Sequence, residues 1–303
     1  MTPFPPAKGT PMLIVSPHLD DAALSCGSIL DRPGVEVLTV FAGRPAPAVA
    51  VTHDVLAGFP NSDAAMDARL AEDHEALDRF GVETHRLDLL DLAYASLPRT
   101  ADDGDRLAAA VREWIAGHGD QEQFVLIPAG TGHMAGLPVA GEGEPGAASS
   151  AQRTRSFASA LKSALGALGG RWVAHQVFLW KKSRGLAHRS FAHPDHLFVR
   201  DALLAPLLSG SAAHGSARVV LYEELPYLWS RAGDHGVAEA QARFGFSASE
   251  VALAVDRPAK ARRIGLYASQ LPQLDPRKRR LEKASTLPSH ERFWSLTPRA
   301  AKP

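Results

Sequence analysis

Two short runs hold most of the chemistry this sequence can offer, His18-Leu19-Asp20-Asp21 and His193-Pro194-Asp195-His196. Carboxylates and imidazoles are poor core residues, because a charge is rarely buried unless it is paired or bound to a metal. Either run alone also reads as the cap of a helix. Together they satisfy a stricter pattern. Catalytic zinc takes three protein ligands from imidazole nitrogen and carboxylate oxygen and keeps one position open. His18, Asp21 and His196 would fill that count. Asp20 would be left as a base for the attacking water, and His193 as a second acid–base or electrophilic group. A site of two histidines and one aspartate also accepts other divalent metals, Fe2+ among them.

The flanking sequence supplies elements to position these runs. Met12–Pro17 is a short apolar run that reads as a buried strand, and AALSCGSIL after the Asp pair reads as a helix. Val35–Phe41 and Thr84–Leu89 read as strands, with Ala64–Phe80 as a helix between them stopped by Gly81. Asp102–Ala116 is a further helix and Phe124–Ile127 a further strand. Strands alternating with helices indicate βαβ units around a largely parallel sheet, so the fold class expected is α/β and Rossmann-like. In such sheets ligands bind at the carboxyl ends of the strands, which is where His18 falls.

Between Ala129 and Gln152 six glycines mark a loop insertion. Trp172–Trp180 reads as a strand, His193–Leu208 as a helix, Ala217–Glu223 and Glu250–Val255 as strands, and Lys260–Gln270 as a helix before a basic tail. No linker divides the 303 residues, which read as one domain with a C-terminal extension.

Composition narrows the function classes. Lys+Arg and Asp+Glu both number 33, a balance that argues against a dedicated nucleic-acid binder. The charge is uneven, with 13 acids and 4 arginines from Asp54 to Asp105, then 9 bases and 2 acids from Arg257 to Lys283. These read as solvated faces of opposite sign, although Arg277, Lys278, Arg279 and Arg280 could also hold an anion. The lone cysteine, Cys26, excludes a disulfide framework and reads as a core residue. With no secretory signal pattern and no apolar span, the expected location is cytoplasmic. No G-x-G-x-x-G follows the first strand, which disfavours a nucleotide-binding Rossmann protein.

The two runs, in order, resemble the signature motifs of the PIG-L/LmbE-like zinc-dependent N-acetylglucosaminyl deacetylases. SPHLDDAALSCGSIL is similar to the first motif and FAHPDH to the second. Arg69 and Glu72, LDLLDLAY around Asp91, LYEELPY from Leu221 to Tyr227, KARRIGLYASQ and ERFW at Glu291–Trp294 fit in order. The resemblance implies a Rossmann-like fold, a Zn2+ cofactor and amide hydrolysis of an acetamido-sugar conjugate. It implies His18, Asp21 and His196 as ligands and Asp20 as general base. It also implies His193, oriented by Asp195, as the group that polarises or protonates the intermediate, and Arg69 as a substrate contact. The sequence departs from the pattern at Leu19, Ala22, Phe191 and the FAGRP segment, in place of proline, glutamate, tyrosine and a polar motif. The activity expected is removal of an N-acetyl or short N-acyl group from a small-molecule amino-sugar conjugate. The alternatives are cleavage of a larger amide and sugar binding without turnover. His133, His175 and His188 read as loop histidines, and the tryptophans as packing residues.

Overall fold

The computed structural model describes residues 4–95, 99–131, 193–209, 217–229, 233–275 and 281–298. Short apolar runs form β1 (Met12–Ser16), β2 (Val35–Thr39), β4 (Gln123–Pro128) and β5 (Ala217–Tyr222), and more polar segments form β3 (Glu83–Arg86), β6 (Phe246–Ala254) and β7 (His290–Pro298). They join in one sheet of order β3-β2-β1-β4-β5-β7-β6. The first five are parallel. β7 is antiparallel to both β5 and β6. The central strands β1 and β4 are buried along their whole length, as a parallel sheet covered on both faces requires.

The helices are α1 (Asp21–Ser25), α2 (Thr52–Ala57), α3 (Ser62–Ala76), α4 (Ala101–Gly117), α5 (Pro194–Leu208), α6 (Asp234–Phe244), α7 (Arg257–Ile264) and α8 (Leu271–Leu274). Because strand side chains alternate in direction, the sheet feeds two cores. On one face Leu13, Val15, Val125 and Ile127 pack with Leu107, Val111 and Ile115 of α4 and with Val199 and Leu203 of α5. On the other, Met12, Ile14, Leu126 and Val220 pack with Ala22, Cys26, Ile29, Leu77 and Tyr267. Each such side chain taken from water contributes about 1.5–3 kcal/mol. Local signals set the helix starts. Thr100 and Asp103 form a reciprocal capping box on α4, and Asn61 caps α3.

Most expected elements stand where the periodicity places them, with several differences, among them α6 and α8, which have no counterpart among the expected elements. The helix after the Asp pair stops at Ser25, because Glu291 from β7 takes the N–H groups of Gly27 at 2.9 Å and Ser28 at 2.8 Å. α2 is an additional short helix, and Lys260–Gln270 is helical only to Ile264. The tail around Glu291–Trp294 is a nine-residue strand, and β6 extends back to Phe246 to pair with it. Trp172–Trp180 and nearly all of the glycine-rich insertion lie outside the described residues. Among the described residues no helix is long and apolar enough to cross a membrane.

The strand order places the site. From β1 the chain moves outward to β2 and β3, then returns to β4 on the other side of β1 and continues to β5. The connections therefore diverge at the carboxyl ends of β1 and β4 and leave a crevice there. α6 closes against the residues after β4: a Cβ on Gly236 would lie 2.4 Å from the Ala129 carbonyl oxygen and 2.7 Å from that of Gly130. Backbone cannot yield as a flexible side chain can. Gly236→Ala is therefore expected to destabilise the fold by about 1–3 kcal/mol despite the better helix propensity of alanine. A thermal melt checks this, with a Tm lowered by several degrees as the expected result.

Candidate metal centre

The site begins with the loop that leaves β1. Ser16 Oγ donates to the His18 carbonyl at 2.7 Å and accepts the Ala22 N–H at 3.0 Å, which folds the loop over the start of α1. Asp21 Oδ2 accepts the His18 N–H at 2.8 Å and faces His18 Nδ1 at 3.1 Å. A serine hydroxyl thus satisfies the Ala22 N–H in the first turn of α1.

The second run enters on α5. His193 is its N-cap, with Pro194 in the first turn and His193 Nδ1 accepting the Asp195 N–H at 3.3 Å. That bond leaves the imidazole proton on Nε2. Among the described residues, the crossover brings the two runs face to face. Ring centres of His18 and His193 are 4.8 Å apart, those of His18 and His196 are 5.4 Å apart, and those of His193 and His196 are 5.5 Å apart. Asp21 Oδ2 lies 3.2 Å from His196 Nε2 as well as beside His18. His18, His193 and His196 can each offer an atom with all three within 4.8 Å of one another, and so can His18, Asp91 and Asp195.

Supporting residues come from elsewhere in the chain. Asp195 is fully buried; Oδ2 lies 3.1 Å from His18 Nε2 and accepts the Leu92 N–H at 3.0 Å. Its Oδ1 takes Arg99 Nε at 2.9 Å and Nη2 of the same guanidinium. Arg99 itself lies flat over Phe41, 3.9 Å from the ring centre. The Asp195 carboxylate is 3.9 Å from His193 Nδ1, so it is the backbone of Asp195 that bonds His193 directly. Glu224 follows β5, accepts N–H groups of Gly130 at 2.8 Å and Thr131 at 3.0 Å, and faces His196 Nδ1 at 3.4 Å. Arg99 carried no signal in the sequence, being one of four arginines scattered through an acidic stretch. Glu224 lay within the LYEELPY segment without a role. Tyr227 brings a phenol ring 5.0 Å from His196 and 6.2 Å from His193.

Arg69 stands in a neighbouring cluster. Its guanidinium meets Asp54 Oδ1 at 2.7 Å, His53 Nδ1 at 3.0 Å and the Tyr94 hydroxyl at 3.1 Å, and Tyr94 in turn donates to Asp54 at 2.7 Å. Asp91, whose Oδ2 is 3.7 Å from His18 Nε2, lies between the two groups. Cys26 is buried in the core. His133, His175, His188, Phe191 and the Arg277–Arg280 run lie outside the described residues.

The electrostatics call for a cation. Glu224 opposite Nδ1 keeps a proton on that nitrogen of His196 and leaves Nε2 buried with no hydrogen-bond partner, opposite a carboxylate oxygen. Burial opposes protonation of His196, but Asp21 and Glu224 outweigh it and push its basicity up to about 9. Burial likewise opposes ionisation of Asp21, yet His196 and His18 hold it well below the usual carboxylate range. Asp20 goes the other way: burial and the adjacent Asp21 raise it to about 7. Burial and the neighbouring His18 pull His193 down to about 3, so it is neutral. A buried donor set of imidazoles and carboxylates converging at one point fits a divalent metal.

Solved structures supply the comparison. The A40926 pseudoaglycone deacetylase Dbv21 is 24% identical over 97% of this chain and 100% of its own, with a TM-score of 0.56. A deacetylase of teicoplanin biosynthesis in complex with teicoplanin is 23% identical over 95% and 98%, with a TM-score of 0.55. The zinc-inhibited form of teicoplanin deacetylase Orf2 is 23% identical over the same shares, with a TM-score of 0.53. This chain has their fold. No family model and no curated protein matches it.

If the centre holds a metal, its outer residues must matter almost as much as its ligands. His18→Ala and His196→Ala are each expected to weaken Zn2+ binding by more than about a hundredfold, and Glu224→Gln by about 10–100-fold through loss of His196 orientation. Competition against a chromophoric chelator measures all three.

Proposed function

We propose that this protein is a metal-dependent N-deacetylase that hydrolyses the acetamide of an amino-sugar conjugate, with zinc as the resident ion. The observation that supports it most directly is the buried Nε2 of His196 facing Asp21 Oδ2 at 3.2 Å, beside His18, at the switch point of the sheet. The fold shared with deacetylases of A40926 pseudoaglycone and of the teicoplanin pathway supports the substrate class. One sheet running through the described elements supports a single domain.

His18, Asp21 and His196 would hold the ion. Bound zinc would supply Lewis acidity, polarising the substrate carbonyl and the attacking water. The remaining steps belong to side chains. Asp20, raised toward neutrality, takes a proton from water as its oxygen attacks the acetyl carbon. His193, neutral and with its proton on Nε2, is suited to donate a hydrogen bond to the carbonyl oxygen as negative charge develops there. Asp195 acts twice, through its N–H on His193 and through its carboxylate on His18, and, against burial, His18 with His193 and Arg99 keeps that carboxylate ionised. As the C–N bond breaks, the proton held by Asp20 passes to the nitrogen. The products are acetate and the free amine. Tyr227 keeps its proton, since burial raises the phenol well above its ordinary range, and it brings a hydroxyl-bearing ring next to both α5 histidines.

Arg69 would serve the substrate as a positioning residue, by fixing Tyr94 and His53 at the edge of the site. Arg69→Lys is then expected to raise KM several-fold with little change in kcat, read from steady-state kinetics beside a melting curve. The activity itself is tested by acetate release from a panel of N-acetylhexosamine conjugates: free, lipid-linked, nucleotide-linked, inositol-linked and antibiotic-linked. Release from one class, lowered about 10²–10⁴-fold in Asp20→Asn with metal content retained, is the expected result. Release of a longer acid instead of acetate would reassign the enzyme as an amidase. Sugar binding with no acid released from any zinc-loaded sample would overturn the enzymatic reading.

A further inference from the structure

The two sides of the candidate centre differ in polarity. On the His18 side, Asp91 Oδ2 lies 3.7 Å from Nε2 of that imidazole, and the cluster of Asp54, Arg69 and Tyr94 stands beyond it. Asp91 acts electrostatically on Arg69 and is 24% exposed, so a polyhydroxylated ligand meets hydrogen-bonding partners there. On the His196 side stands Tyr227. Its ring meets the His196 imidazole edge-on, at 74° with centres 5.0 Å apart, and its centre lies 6.2 Å from that of His193.

The surroundings of this ring are apolar. Tyr227 opens a single 3-10 turn, Tyr227–Trp229, that follows β5. Leu225, just before the turn, is buried with Leu24 of α1, Ile264 of α7 and Leu271 of α8, and Leu228 and Trp229 pack against the same cluster. Glu224, the neighbouring carboxylate, is taken up by the N–H groups of Gly130 and Thr131 and by His196.

The turn is also fastened from two directions. The Leu225 N–H donates to Ser25 Oγ at 3.2 Å, which ties the segment to the last residue of α1. The Leu228 N–H donates to the Glu224 carbonyl at 2.9 Å, and the Trp229 N–H to the Pro226 carbonyl at 3.1 Å. The backbone under the ring is thereby held on α1 and on the end of β5. Closely packed surroundings of this kind resist the insertion of extra methylenes.

We propose that Tyr227 is a specificity-determining residue whose ring closes the acyl side of the site, so that a short acyl group fits and a long one does not. This rests on the amide hydrolysis proposed above. With the carbonyl oxygen at the N–H of His193, the carbonyl carbon has two other substituents, which diverge to the two sides of the centre. The nitrogen carries the sugar, whose hydroxyls find partners on the side of Asp91 and Arg69. The alkyl group has nothing to bond and is left to the side of Tyr227. A chain longer than a methyl then meets the ring. One methylene in an apolar pocket is worth about 10–200-fold in selectivity, enough for a single wall to decide between acids.

Alkyl hydroxamates test this without turnover, because they chelate a divalent ion through two oxygens and present their alkyl group where a substrate presents its acyl chain. Acetohydroxamate, propionohydroxamate, butyrohydroxamate and hexanohydroxamate are titrated by calorimetry into the zinc-loaded full chain as wild type, Tyr227→Phe, Tyr227→Leu and Tyr227→Ala. Metal content and a melting curve are recorded for each. Wild type is expected to bind acetohydroxamate best and hexanohydroxamate at least tenfold more weakly. Tyr227→Phe keeps the ring and is expected to keep that order. Tyr227→Leu and Tyr227→Ala remove the ring and are expected to lose it, the leucine variant preserving apolar bulk in the turn if the alanine variant fails to fold. Equal affinity for every chain length in wild type overturns the proposal and leaves the deacetylase reading in place. So does an order unchanged in the folded, metal-loaded leucine variant. Failure of every hydroxamate to bind zinc-loaded wild type overturns the metal-dependent reading itself, and this inference with it.

Discussion

Four carboxylates, those of Asp20, Asp21, Asp195 and Glu224, are buried around a few imidazoles, and the rest of the structure is arranged around their compensation. Isolated carboxylates in such a place would cost several kcal/mol each, and removing a single partner leaves the other charge exposed to that cost. Each one here is met by a different device. Arg99 neutralises Asp195, the N–H groups after β4 surround Glu224, and Asp21 depends on positive charge shared with His18 and His196. Asp20 is left to rise toward neutrality. Two adjacent residues of one type thereby acquire opposite properties, the ionisation of Asp21 being favoured and that of Asp20 opposed.

These devices explain why the fold is needed. His18 to Asp21 and His193 to His196 are separated by more than 170 residues, and only a crossover that returns α5 to the crevice beside β1 brings them together. Glu224 and the Gly130–Thr131 turn come from the ends of the adjacent strands β5 and β4. The closely packed Gly236 then holds α6 against that turn. Packing far from the reacting atoms is therefore part of how the imidazole of His196 is aimed.

What the sequence revealed follows from how local each feature is. The His-Leu-Asp-Asp and His-Pro-Asp-His runs are legible because spacing within a loop or a helical turn fixes their relative positions. β1, β2 and β4 are legible as short apolar runs and α4 by its amphipathic period, both local to the element. Arg99, Glu224 and Tyr227 matter only through contacts across the crevice, and nothing in their neighbours in sequence announces that. The early end of α1 was hidden for the same reason, since the acceptor that stops it is Glu291. β7 was read as tail because Arg292 and its neighbours give it a mixed polar pattern, whereas pairing with both β5 and β6 makes it an interior strand.

Glu291 has a consequence for how the protein comes into being. Its carboxylate binds Gly27 and Ser28 and pairs with Lys260, joining the segment just after Asp21 to a residue 264 positions later. A ribosome adding about 5–20 residues per second needs roughly 13–50 s to cover that distance. Throughout that interval the helix bearing Asp21 lacks its final anchor. Assembly of the candidate site is thus coupled to the synthesis of β7, and a chain terminated before it is left without the clasp that fixes α1.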